Sequence, residues 1–154
     1  MAQSYGNRGV APTAKPDMME TPARARASRS IVKNVKLAIL VCGVIGLAAL
    51  LVPFGGRSLL VDTFGVDPLS AGVSAAIFAL PIAMASVALA RPPMQSWQPG
   101  VALAGFVLGV VRFHVWELVA HLGSVGAQGV LLAIALVVGT LAAVAALIRP
   151  EAPI

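Results

Sequence analysis

Residues Val101–Leu122 read VALAGFVLGVVRFHVWELVAHL. The run is long enough to cross a bilayer, since about 20 helical residues suffice. Yet it carries Arg112, His114, Glu117 and His121. A charged side chain at the centre of a spanning helix costs roughly 2.5–3.5 kcal/mol on insertion scales. This segment must therefore face protein, water or a partner. Three further apolar runs, at about residues 35–53, 68–90 and 127–148, have uncharged interiors. Together the four runs predict an all-α membrane protein, with four transmembrane helices in an antiparallel up-down bundle.

The composition points the same way. The chain is 58% hydrophobic and 11% charged, whereas soluble domains carry about 25% charged residues. Too little charge remains to cover a water-facing surface. Small residues dominate the apolar runs and recur at fourth positions: Ala38, Cys42 and Gly46; Ala71, Ala75, Ala79 and Ala83; Ala135, Gly139 and Ala143. Such stripes let helices approach closely in lipid. Gly105 and Gly109 form a GxxxG pair with the same meaning, and Gly105, Gly109 and Gly139 are the expected helix-packing positions. Cys42, the single cysteine, excludes an internal disulfide and reads as a small packing residue.

Boundaries follow from turn chemistry. Residues 1–30 are rich in Ala, Pro, Ser and Arg, and read as a disordered basic tail that cannot bury enough apolar surface to order itself. Residues 31–150 form the membrane domain. Pro53 with Gly55 and Gly56 ends the first helix. Residues 54–67 read as a loop lying in the interface. Asp67-Pro68 is an N-cap followed by proline at the first helical position. Pro81 should kink the second helix. The Pro-rich stretch Arg91–Pro99 is a stiff loop with Trp97 as an interfacial anchor. The polar helix, about Gly100–Leu122, joins the last by a short turn, so the two should be antiparallel neighbours.

Charge sets the expected orientation. Seven of the 11 basic residues precede Leu37: Arg8, Lys15, Arg24, Arg26, Arg29, Lys33 and Lys36. Arg91 and Arg149 fall on the same side of a four-span topology, against Arg57 on the other. The positive-inside rule then places both termini in the cytoplasm, and the Ala, Gly, Val and Arg bias suggests a bacterial inner membrane. Beside a spanning helix the basic tail needs no nucleic acid to explain it. The polar helix would run outward, with Arg112 near the bilayer middle and His121 near the outer interface.

A continuous helix at 100° per residue gives that segment two special faces. One carries Gly105, Gly109, Arg112 and Trp116, with a cation–π contact open to the last two. The other carries His114, Glu117 and His121 as a narrow stripe. Arg112, His114, Glu117 and His121 thus form the candidate intramembrane polar site, which admits three readings. It can be a structural hydrogen-bond network, with Arg112 on Glu117 or a carbonyl. It can be a proton or ion relay, since histidine titrates near neutral pH; no second helix supplies an ionisable partner, however. It can bind a metal or haem only if a homodimer brings further ligands, because all candidates sit on one helix.

No P-loop, dinucleotide fingerprint, GxSxG or HExxH motif is present. No catalytic residue, metal site or cofactor is assigned. The sequence favours a non-enzymatic structural or accessory membrane component, with a homo-oligomer or a membrane-protein partner as its expected company. A proton- or ion-handling protein using the polar helix is the alternative.

Overall fold

The computed structural model describes residues 22–53, 58–121, 123–124 and 126–149, with side chains from residue 30 onward. The described part is helical and contains no strand. Six helices follow in order: α1 Pro22–Leu51, α2 Leu59–Val66, α3 Pro68–Ala90, α4 Trp97–Arg112, α5 Val115–Ala120 and α6 Ala127–Ile148. Helix α1 packs on α3 and α6, and α4 packs on the same two. The four long helices thus close a ring in which α1 and α4 stand diagonally opposed.

Three stretches are long and apolar enough to span a membrane: Ser30–Leu51, Pro68–Ala90 and Ala127–Ile148. Their outward faces are studded with exposed apolar side chains, among them Val41, Val44, Leu80, Val87, Ile134 and Leu141. In water such a surface would drive aggregation, while in hydrocarbon it costs nothing.

Packing inside the ring rests on aromatic rings seated on glycines. Phe78 of α3 lies against Gly46 of α1, where an added Cβ would overlap the ring. Phe106 of α4 lies against Gly139 of α6, where a Cβ would come within 2.6 Å. Gly109 is wedged between Leu136 and Ile77, and Gly105 against Pro81 and the Ile77 carbonyl. That carbonyl is the one Pro81 leaves without its i→i−4 donor, so Gly105 closes over a gap in the ladder. Gly105, Gly109 and Gly139 all sit at contacts within the chain. Without a hydrophobic drive between helices in lipid, close packing of this kind is a main source of helix association.

Several local expectations are corrected. Helix α1 begins at Pro22 rather than near residue 35. Proline at the first helical position loses no hydrogen bond and presets φ, so the basic run from Arg24 to Lys36 is helical backbone. Of the disordered tail expected over residues 1–30, residues 1–21 lie outside the described residues, as do residues 54–57 of the expected loop. The rest of that loop is helix α2, capped by Ser58, whose hydroxyl accepts from the Val61 N–H at 3.1 Å. The alanine stripe of α3 does not hold: Ala71 is buried, but Ala79 and Ala83 are exposed. The inward face is instead Ala71, Ser74, Ile77, Phe78, Pro81 and Ala85, the three-and-four spacing of a helix facing one core.

The polar helix is not continuous. Helix α4 stops at Arg112, and α5 starts at Val115. Between them His114 adopts the left-handed conformation with φ 47° and ψ 51°. Glycine normally fills such a position after a helix end, because a Cβ there crowds the following carbonyl.

Candidate functional site

The break after Arg112 decides where the polar residues go. At the break, Phe113 donates its N–H to the Gly109 carbonyl at 2.9 Å, ending α4. Its ring stacks on Phe78, with centroids 6.2 Å apart, which ties the break to the core. The reversal at His114 then redirects the chain. The His114 carbonyl accepts from the N–H groups of Glu117 at 2.8 Å and Leu118 at 3.3 Å, opening α5.

Arg112 turns toward α3 and donates to the Ser70 hydroxyl. Ser70 is the third residue of α3 and lies one turn from Asp67, whose carboxylate caps that helix through the Leu69 N–H at 3.1 Å. Arg112 therefore sits level with the end of α3, not with its middle. This corrects its expected mid-span position. Among the described residues it pairs with neither Glu117 nor a carbonyl. The ring of Trp116 does not meet Arg112 as expected but stands edge-on to His114, with centroids 5.1 Å apart and planes at 70°.

The stripe of His114, Glu117 and His121 is also broken: the left-handed turn takes His114 out of it, while Glu117 and His121 stay one turn apart along α5. The Nδ1 of His121 lies 3.0 Å from the Glu117 carbonyl oxygen. A carbonyl only accepts, so Nδ1 is the donor of this bond. The Ser124 hydroxyl donates to the His121 carbonyl at 3.0 Å. Arg112, His114, Glu117 and His121 are all exposed. Among the described residues no side-chain-to-side-chain hydrogen bond or ion pair joins any two of the four, and no group of three His, Cys, Asp or Glu side chains gathers in metal-binding range. They decorate a rim, and they do not converge on a point.

The other end of the ring holds the polar residues that composition and spacing missed. Lys36 is 4% exposed, and its Nζ donates to the Ala88 carbonyl at 3.2 Å. Ala88 belongs to the last turn of α3, whose carbonyls lack helical partners. A lysine there satisfies a donorless oxygen and complements the negative end of the helix dipole. Counted by sequence, Lys36 was one more basic residue of the tail. Its spacing to Ile39, Gly43 and Gly46 places it on the inward face of α1, and that signal was available. Gln98 is likewise buried, and its side-chain carbonyl accepts the Gln95 N–H at 2.9 Å at the start of α4. At the opposite end Gln128 donates to the Ala49 carbonyl in the last turn of α1 at 2.7 Å.

Between these ends the interior is apolar. Ile39, Leu50, Ile77, Phe78, Phe106 and Leu136 are at most 1% exposed. The buried polar residues among those described are Lys36, Ser58, Ser74 and Gln98. Ser74 bonds back to the Ser70 carbonyl at 2.9 Å. No file of polar groups runs through the ring among the described residues. No protein-family model, curated protein or solved structure matches this chain.

Proposed function

We infer that the chain is a four-helix integral membrane protein acting as a non-enzymatic structural or accessory component, with α4 as the fourth, shorter span. The observation that carries this reading is the sealed apolar interior. A conducting protein needs polar groups or water along its path. Here the rings of Phe78 and Phe106 fill the axis, and the ionisable groups of α4 and α5 lie on an outer rim. That rim, with Arg112, His114, Glu117 and His121, is the surface that headgroups, water or a membrane-protein partner would meet. The charge asymmetry supports cytoplasmic termini, and the Ala, Gly, Val and Arg bias supports a bacterial plasma membrane.

The alternative, proton or ion handling, draws support from one observation. A broken helix with a left-handed histidine is the kind of local strain that functional sites retain. One experiment separates the two. Purified protein in liposomes is tested for proton flux, beside Glu117→Gln and His114→Ala. The accessory reading expects no flux above empty liposomes. It also expects Glu117→Gln to leave thermal stability within about 0.5 kcal/mol, as for an exposed, unbonded side chain. Flux that disappears in folded variants would overturn it.

A further inference from the structure

The ring is open at its basic end. A cavity of 520 Å³ lies there between α1, the turn into α4 and the last turn of α6. Small-molecule sites commonly enclose about 300–1,000 Å³. The walls are largely apolar, with Ile31, Val35, Leu147 and Ile148 among them, and the polar groups are Lys36, Gln95, Ser96 and Arg149. Among the described residues no carboxylate lines the space.

Two observations indicate what fits it. First, Ile31, Leu147 and Ile148 are also exposed on the outer surface, at 43%, 40% and 72%. The opening is therefore bordered by side chains that would face lipid, and an apolar chain can enter sideways from the bilayer. Second, the described charges at this end have one sign. Lys36 brings a buried cation to the wall, fixed by the Ala88 carbonyl, and Arg149 stands at the rim. Lys33 lies on the same end of α1, and Arg29, Arg26 and Arg24 continue that helix outward. The described residues of this end contain no Asp or Glu. Apolar walls beneath a cationic rim match an amphiphile with an anionic head.

We propose that this cavity binds an anionic phospholipid, with an acyl chain against Ile31, Val35 and Leu147 and the phosphate at Lys36 and Arg149. The site selects by net charge, because Gln95 and Ser96 can hydrogen-bond any headgroup whereas the two cations discriminate. The proposal rests on the membrane reading above and adds a ligand class to it.

The test is native mass spectrometry of the full chain in detergent, titrated with phosphatidylglycerol or phosphatidylcholine. One phosphatidylglycerol is expected to be retained, with phosphatidylcholine held at least about tenfold more weakly. Arg149→Gln, at an exposed helix end where folding is not at stake, should weaken retention about fivefold, the equivalent of about 1 kcal/mol per basic side chain near an anionic headgroup. Lys36→Gln should do at least as much. Ala146→Phe, which fills the cavity, should abolish retention while the circular dichroism spectrum stays helical. Equal retention of the two lipids overturns the proposal. So does unchanged retention in both Arg149→Gln and Ala146→Phe, or an acidic polypeptide found in place of lipid. Alkaline carbonate extraction of the source membranes reads the membrane assignment separately. A protein that stays in the pellet yet prefers neither lipid refutes the site alone.

Discussion

His114 is the residue on which the polar segment turns. It has the one positive φ among the described non-glycine residues, a conformation that costs a residue with a Cβ roughly 1–2 kcal/mol. Histidine tolerates it better than most, and a β-branched residue tolerates it worst. His114→Val should therefore lower stability by about 1–2 kcal/mol, whereas His114→Gly should be neutral or stabilising. Thermal unfolding in detergent checks both, and a Val variant as stable as wild type would remove the strain argument. Gly139 poses the opposite case, where space is short and the backbone is ordinary. Gly139→Ala places a methyl 2.6 Å from the Phe106 ring and should destabilise by about 1–3 kcal/mol, the usual cost of overpacking. Adding Phe106→Leu should recover part of that loss, and a double-mutant cycle reads the coupling. At this scale the sequence was half legible. Arg112, His114, Glu117 and His121 stand out because charge is rare in an apolar run. Their grouping was misread, since projection at 100° per residue presumes an unbroken helix. A histidine, unlike a glycine, gives no sign of a left-handed turn.

Among the helices, α3 and α6 were the most legible. Asp67-Pro68 opens one and Arg149-Pro150 follows the other, and their interiors are uncharged and mostly apolar. The start of α1 was missed because low hydrophobicity was read as disorder, although Pro22 suits a first helical position. Helix α2 was missed because glycines flank it, and its cap, Ser58, was weighed as a loop residue. What joins the helices was least legible. The contacts Lys36–Ala88 and Gln128–Ala49 link positions far apart in the chain, and no local pattern announces them. Each caps a helix C-terminus with a side chain from a neighbour. Gln128→Leu removes the donor to the Ala49 carbonyl and should cost about 1 kcal/mol, near the usual net value of one hydrogen bond. Chemical or thermal denaturation of the variant measures it, and Gln128→Glu, which cannot donate when ionised, should cost at least as much.

As a whole, the molecule has a basic end and a mixed end, which turns orientation into a labelling experiment. In a Cys42→Ser background, cysteine placed at exposed Ser96 should react only with reagent on the cytoplasmic side. Cysteine at exposed Ser124 should react only from outside. The reverse pattern would show that the charge asymmetry misleads here. The ring is also taller on some sides than on others. At about 1.5 Å per residue, the 23 residues of α3 and the 22 of α6 reach about 34 Å and 33 Å. The 16 residues of α4 reach only about 24 Å, less than the roughly 30 Å hydrocarbon thickness of a typical bilayer. Beyond Arg112 the backbone reverses and exposes polar groups that hydrocarbon cannot satisfy. With α4 as the proposed fourth span, lipids beside it would shorten or tilt so that water reaches the break, while those beside α3 and α6 would stay extended. The protein would carry a one-sided dimple in its leaflet, and it should be more heat-stable in short-chain than in long-chain phosphatidylcholine bilayers. On that reading two such molecules would attract one another through the lipid, since pairing two dimples lowers the total deformation.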